Sequence, residues 1–123
     1  MIFIIVPLSA PINIITKSLS QSTITLEWQP PPVWARNGVI ITYRISYQSL
    51  FFNRTTTYVD GSQLSVMLRS LRPYTAYNIT LAAATMVGYG PESPIITETT
   101  SQAGILHSFF NILMQSDMVY KKS

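Results

Sequence analysis

Apolar and polar side chains alternate in short runs along most of this chain, and each run ends near proline, glycine, asparagine or aspartate. In STITLEW (22–28), Ile24, Leu26 and Trp28 fall on one face and Thr23, Thr25 and Glu27 on the other. A period of two marks a strand with one buried side. QPPPVWARNG (29–38) stops that strand, because its prolines cannot join a central ladder and Asn37-Gly38 is a turn pair. VIITYRISYQ (39–48) resumes the alternation with Ile41, Tyr43, Ile45 and Tyr47 on one face. RTTTYV (54–59) is β-branched and polar, as suits a short edge strand, and Asp60-Gly61 turns the chain again. Leu64, Val66 and Leu68 form a further set. Tyr77, Ile79, Leu81 and Ala83 then oppose Asn78, Thr80 and Ala82. With INIITK (12–17) in front and IITETT (95–100) behind, the pattern predicts about seven short strands, no helix among them, and an all-β sandwich.

Composition narrows the classes. A chain of 123 residues suits one domain with a core that needs neither metal nor disulfides. Hydrophobic residues make up 47% and charged ones 11%, which excludes a disordered polar chain. The net charge of +3 is carried by dispersed residues (Lys17, Arg36, Arg44, Arg54, Arg69, Arg72), with only Lys121 and Lys122 adjacent. No stripe for nucleic acid results. Cysteine is absent, excluding a disulfide scaffold and a cysteine-ligated zinc site.

The ends differ from the middle. Residues 1–9 begin with the apolar MIFIIV, but no basic residue precedes it and Pro7 cuts it short, so it reads as an incomplete signal-like segment. Residues 102–123 form an atypical tail, in which AGILHSFFNILM (103–114) would span about 18 Å as a helix, too short to cross a bilayer. Both ends are expected to pack poorly against the sandwich and add no strand, so that residues 10 to 101 would be as stable alone.

Several residues in order resemble a fibronectin type III domain. They are Pro11 and Ile14, Trp28 with Pro30 and Pro31, Asn37-Gly38, YRISY (43–47), the run Leu71-Arg72-Pro73-Tyr74-Thr75-Ala76-Tyr77, and the tip GYGPES (88–93). The resemblance covers residues 10–101 and implies an immunoglobulin-like Greek-key sandwich of antiparallel strands. It also implies that the Leu71–Tyr77 run is a tyrosine corner, in which Pro73 sets the turn and Tyr77 buries its ring while its hydroxyl returns to upstream backbone. Trp28, Tyr43, Ile45, Leu71, Pro73 and Tyr77 are then the expected structural core. Gly88 and Gly90 are expected to supply positive φ at the tip, with Pro91 ending the ladder.

Chemistry is sparse. The one histidine, His107, lies in the tail, the four acids of residues 10–101 are scattered, and no base stands near a Ser or Thr nucleophile in sequence. Gly88-x-Gly90 lacks the rest of a dinucleotide fingerprint. No enzyme activity, cofactor, metal or small-molecule substrate is expected. Asn53-Arg54-Thr55 and Asn78-Ile79-Thr80 are N-glycosylation sequons, one in a loop and one on an outward strand face, and point to a secreted route. The loop with Trp34, Ala35, Arg36 and Asn37 is expected to meet Gly88, Tyr89, Gly90, Pro91 and Glu92 at one end. There Trp34 and Tyr89 either face a protein partner together or serve the fold alone, Trp34 packing over the loop's prolines and Tyr89 covering the sandwich end. No Arg-Gly-Asp tripeptide occurs in that tip. The family resemblance implies a non-catalytic interaction module, extracellular or at the cell surface, within a larger multidomain protein and beside neighbouring domains of a tandem array. The alternative is a structural spacer, extracellular or in an intracellular filament-associated protein.

Overall fold

A computed structural model describes residues 5–102, in seven strands that form two antiparallel sheets. The three-stranded sheet has the order β1 (Ile12–Leu19), β2 (Ile24–Gln29), β5 (Ser65–Leu68). The four-stranded sheet has the order β4 (Thr55–Asp60), β3 (Thr42–Gln48), β6 (Ala76–Ala84), β7 (Ile96–Thr99). All seven alternating runs are strands, and RTTTYV forms the expected edge. One 3₁₀ turn, Val33–Ala35, interrupts the β2–β3 loop.

The period-two pattern becomes burial directly. Ile24, Leu26 and Trp28 of β2, with Leu68, face Tyr43 and Ile45 of β3 and Tyr77, Ile79, Leu81 and Ala83 of β6 in one cluster that also holds Leu71. Trp28 and Tyr43 meet edge to face, with ring centroids 5.4 Å apart, a favoured geometry for aromatic pairs. The expected core is therefore present with one correction. Pro73 is exposed, because the turn it shapes lies at the surface; its carbonyl accepts the Thr75 hydroxyl at 2.8 Å. Tyr74, beside it, is exposed with φ 48°.

The corner is built as the run of residues implied. Tyr77 is buried, and its hydroxyl accepts the Arg72 backbone N–H at 2.8 Å. Thr100, also buried, accepts the Thr75 N–H at 3.0 Å and donates to the Arg72 carbonyl at 2.6 Å, so the residue that follows β7 locks the same crossing. The edges are tied too. Thr16 of β1 donates to Glu98 of β7 at 3.0 Å, across from one sheet to the other. β1 carries two register shifts and a positive φ at Asn13, irregularities that discourage pairing with another chain.

At Gly61 a side chain could not be tolerated, since a Cβ would lie 2.1 Å from the Ile40 carbonyl oxygen. Asp60 caps the same turn, accepting both the amide and the hydroxyl of Ser62, and these bonds hold its carboxyl below the ordinary range.

Two expectations follow for stability. Tyr77→Phe leaves the Arg72 N–H unpaired and should cost about 1–3 kcal/mol in a denaturant melt; equal stability would show that the bond carries nothing. Burial raises the pKa of Tyr43 above 10.0, and Arg36 and the Trp28 indole N–H, which stays outside hydrogen-bond geometry, lower it only in part. Tyr47 is raised by burial and by Tyr77. A neutral phenol favoured by folding contributes fully below its unfolded pKa and is lost as pH climbs through the folded one. Urea midpoints should therefore hold up to about pH 10 and decline above it, less steeply in Tyr43→Phe. A profile flat across that limit would contradict the burial of these hydroxyls.

Candidate functional site

The β2–β3 and β6–β7 loops do gather at one pole, but they meet through a third segment, the residues before β1. Ile5 donates its amide to the Asn37 carbonyl at 3.2 Å, and Leu8 donates to the Ala35 carbonyl at 2.8 Å. The Asn37 side chain donates to the Val6 carbonyl at 3.1 Å, and the Thr85 hydroxyl donates to the Ile5 carbonyl at 2.9 Å. Pro7 between them is fully buried. Residues 5–9 are thus a clasp between the two loops, which corrects the expectation that the segment before residue 10 packs poorly. Residues 1–4, the tail 103–123 and His107 lie outside the described residues.

The clasp explains a glycine. A Cβ on Gly90 would lie 2.4 Å from the Pro7 carbonyl oxygen, so Gly90 is there for close approach. Of the two glycines expected to supply positive φ at the tip, Gly88 does so (153°) and Gly90 does not; in the other loop Asn37 (55°) and Gly38 (146°) also have positive φ. Ala35 is fully buried, with its carbonyl on the clasp, and cannot touch a partner. Arg36 folds back, donating from Nε to the Pro31 carbonyl at 2.7 Å.

What this pole presents is apolar. Trp34 is 76% exposed on the 3₁₀ turn and does not fold over the prolines beside it. Val33, Val39, Leu8, Met86 and Val87, on the same loops and clasp, are exposed as well. The clasp and these five apolar residues were missed from sequence; the juxtaposition of Pro7 and Gly90 spans most of the chain and leaves no local signal.

Tyr89 does not join Trp34, contrary to expectation. Bridged to Ala84, it turns onto the outer face of the four-stranded sheet, where the Arg44 guanidinium lies 4.2 Å from its ring centroid and Tyr58 stands 6.5 Å away. Cation–π attraction to Arg44 holds it there. Ala82, expected to be open on this face, is buried, as is Ala84; their small side chains leave room for the Arg44–Tyr89 pair. Glu92 pairs with Arg54 and, at 3.8 Å, with Arg44. Pro91 is exposed, and Ser93 continues the pairing past it, exchanging bonds with Leu81 through both backbone and hydroxyl.

Both sequon asparagines are exposed. Asn53 stands in the β3–β4 loop after Leu50, Phe51 and Phe52, themselves exposed. Asn78 stands mid-strand on the outer face of β6, between Gln48 of β3 and Thr97 of β7. Among the described residues no three metal-ligating side chains come together, and no helix is long and apolar enough to cross a membrane.

Gly90→Ala tests the clasp. The added methyl must displace Pro7, and the variant should lose about 1–3 kcal/mol in a denaturant melt. Unchanged stability would mean that the clasp is not held as described.

The comparisons with known proteins agree with this architecture. The sequence profile of the fibronectin type III domain matches residues 9–99. Tyrosine-protein phosphatase Lar of Drosophila melanogaster is 38% identical over 96 residues, which cover 76% of this chain and 5% of that protein. Neogenin of Mus musculus is 34% identical over 102 residues, covering 81% of this chain and 7% of that protein. Among solved structures, the fn3 domain of human contactin 1 superposes with a TM-score of 0.69 at 27% identity, covering 80% of this chain and 82% of that one. The FN5 domain of Drosophila Lar gives 0.65 at 27% identity, covering 80% and 100%. The chain spans less than a tenth of the length of these receptor relatives, and where they are phosphatases it matches their fibronectin region alone. Profile, relatives and folds converge: this chain belongs to the fibronectin type III family.

Proposed function

We propose that this domain is a non-catalytic protein-recognition module in the extracellular part of a cell-adhesion or receptor-type protein, and that the pole bearing Trp34 is its contact surface. One observation carries the reading: a tryptophan 76% exposed on a short 3₁₀ turn whose flanking backbone is clamped by the clasp. Exposed indole area on an ordered frame is costly in water and dominates interface energies when buried, because little conformational freedom remains to be lost on binding. Val33, Val39, Leu8, Met86 and Val87 extend the patch, and the one cation of its turn, Arg36, is folded back. Such a surface suits an apolar protein patch, a separate partner or a neighbouring domain, rather than nucleic acid or a small molecule. Tyr89, Gly88, Gly90, Pro91 and Glu92 then act by shaping the pole and the adjoining face.

The family supports the setting. Relatives and structural neighbours include Neogenin, Lar and contactin 1, and fibronectin type III domains of such receptors support a cell-surface or extracellular location. Asn53 and Asn78, both exposed within sequons, fit a secretory route. The absence of a clustered acid, base and nucleophile in sequence favours recognition over catalysis.

Binding of the secreted full chain to cells bearing candidate partners tests this. Trp34→Ala should weaken it by about 2 kcal/mol or more, roughly thirtyfold in Kd, with an unchanged melting curve. Binding indifferent to Trp34 would move the contact surface to another face, and binding absent altogether would leave the domain as a spacer.

A further inference from the structure

The outer face of the four-stranded sheet carries a groove that the recognition pole does not use. Its floor is two register pairs, Ser46 with Thr80 and Gln48 with Asn78. Ser93, Pro94 and Ile95 form one wall, and the Arg54–Glu92 pair also lines the groove. The volume, about 270 Å³, falls just below that of ligand pockets, which run from roughly 300 to 1,000 Å³.

The groove has polar and apolar sides. Among the described residues, the side chains of Ser46, Gln48 and Thr80 have no hydrogen-bond partner, so three polar groups line the floor unused. Ile95 is 66% exposed and gives the wall an apolar surface. A pyranose ring needs this combination: hydroxyls and an acetamido group that seek donors and acceptors, and a C–H face that packs on an aliphatic side chain.

Asn78 also lines the groove, and it is the acceptor residue of a sequon. Its Oδ1 accepts the Thr97 hydroxyl at 2.7 Å. That bond occupies the branch of the amide facing β7 and leaves Nδ2, the atom that carries an N-glycan, without a protein partner on the other branch. Asn53 differs, standing on an irregular loop with no side-chain bond to orient its amide.

We infer that the glycan on Asn78 lies in this groove, its first sugar residues hydrogen-bonded to the Ser46, Gln48 and Thr80 side chains and packed on Ile95. The saccharide is then a tethered part of the domain, and it covers the sheet face so that the Trp34 pole is the surface left for partners. The inference rests on the secretory-route reading above.

The test compares full-length protein secreted from animal cells with bare protein from a host without N-glycosylation. Peptide mass mapping should find Asn78 occupied. The glycosylated wild type should melt at least about 4 °C above Asn78→Gln and above the bare protein, while Asn53→Gln melts with the wild type. Trimming the glycan back to its first residue should keep most of that difference. Ile95→Ser should lower the melting point of the glycosylated protein and leave that of the bare protein unchanged. Asn78 found bare overturns the inference; if Asn53 is occupied in the same sample, the extracellular reading stands without it. An occupied Asn78 whose removal, like Ile95→Ser, changes nothing overturns it equally.

Discussion

The hydrogen bond from the Arg72 amide to the Tyr77 hydroxyl fixes where the chain crosses between sheets, and the parity of the central strand follows from it. β6 is flanked by β3 and β7, so its register sets theirs. With Tyr77 inward, Ile79, Leu81 and Ala83 are inward too, and Asn78 and Thr80 are outward. A slip of one residue would bury the Asn78 amide and expose the core. Thr100 closes the crossing from the other end of the sequence, which ties the final strand to the same constraint.

The opposite pole is organised by a different necessity. Two loops that bring little apolar burial of their own must be held in place, and the segment 5–9 holds them by hydrogen bonds from both sides. Pro7 has no amide to satisfy, so it can be buried between the loops at no polar cost. Gly90 opposite it supplies the missing volume. With the polar groups of the pole consumed internally, what remains for solvent is aliphatic and indole surface. That is why this end reads as a contact surface.

The charged face between the poles contributes position more than stability. Arg44 and Arg54 share one carboxylate, and pairs this exposed are worth little in water. Their effect is geometric: Arg44 keeps Tyr89 flat on the sheet, and Glu92 draws Arg54 to the groove above Ser46 and Thr80. A tyrosine that sequence position alone would assign to the loop tip is thereby removed from it.

Strand existence, the edge position of RTTTYV, the inward sets of β2, β3, β5 and β6 (except Ile41, which lies before β3 and is exposed) and the tyrosine corner were legible in the sequence. Each depends on side-chain parity or on a turn of a few residues, and such local physics leaves a local trace. The roles of Gly90 and Tyr89, the exposure of Pro73, the burial of Ala35 and Ala82, and the clasp of residues 5–9 were not legible. Each depends on what lies opposite in space: Pro7 against Gly90, Arg44 over Tyr89, the clasp on the Ala35 carbonyl. Those partners are separated by tens of residues, and nothing in a period of two states which loop a distant segment will meet. The sequence by itself determined a sandwich with outward sequons; only the packed tertiary structure decided that Trp34 stands free while Tyr89 does not, because the distribution of cations and of missing Cβ atoms acts across space, not along the chain.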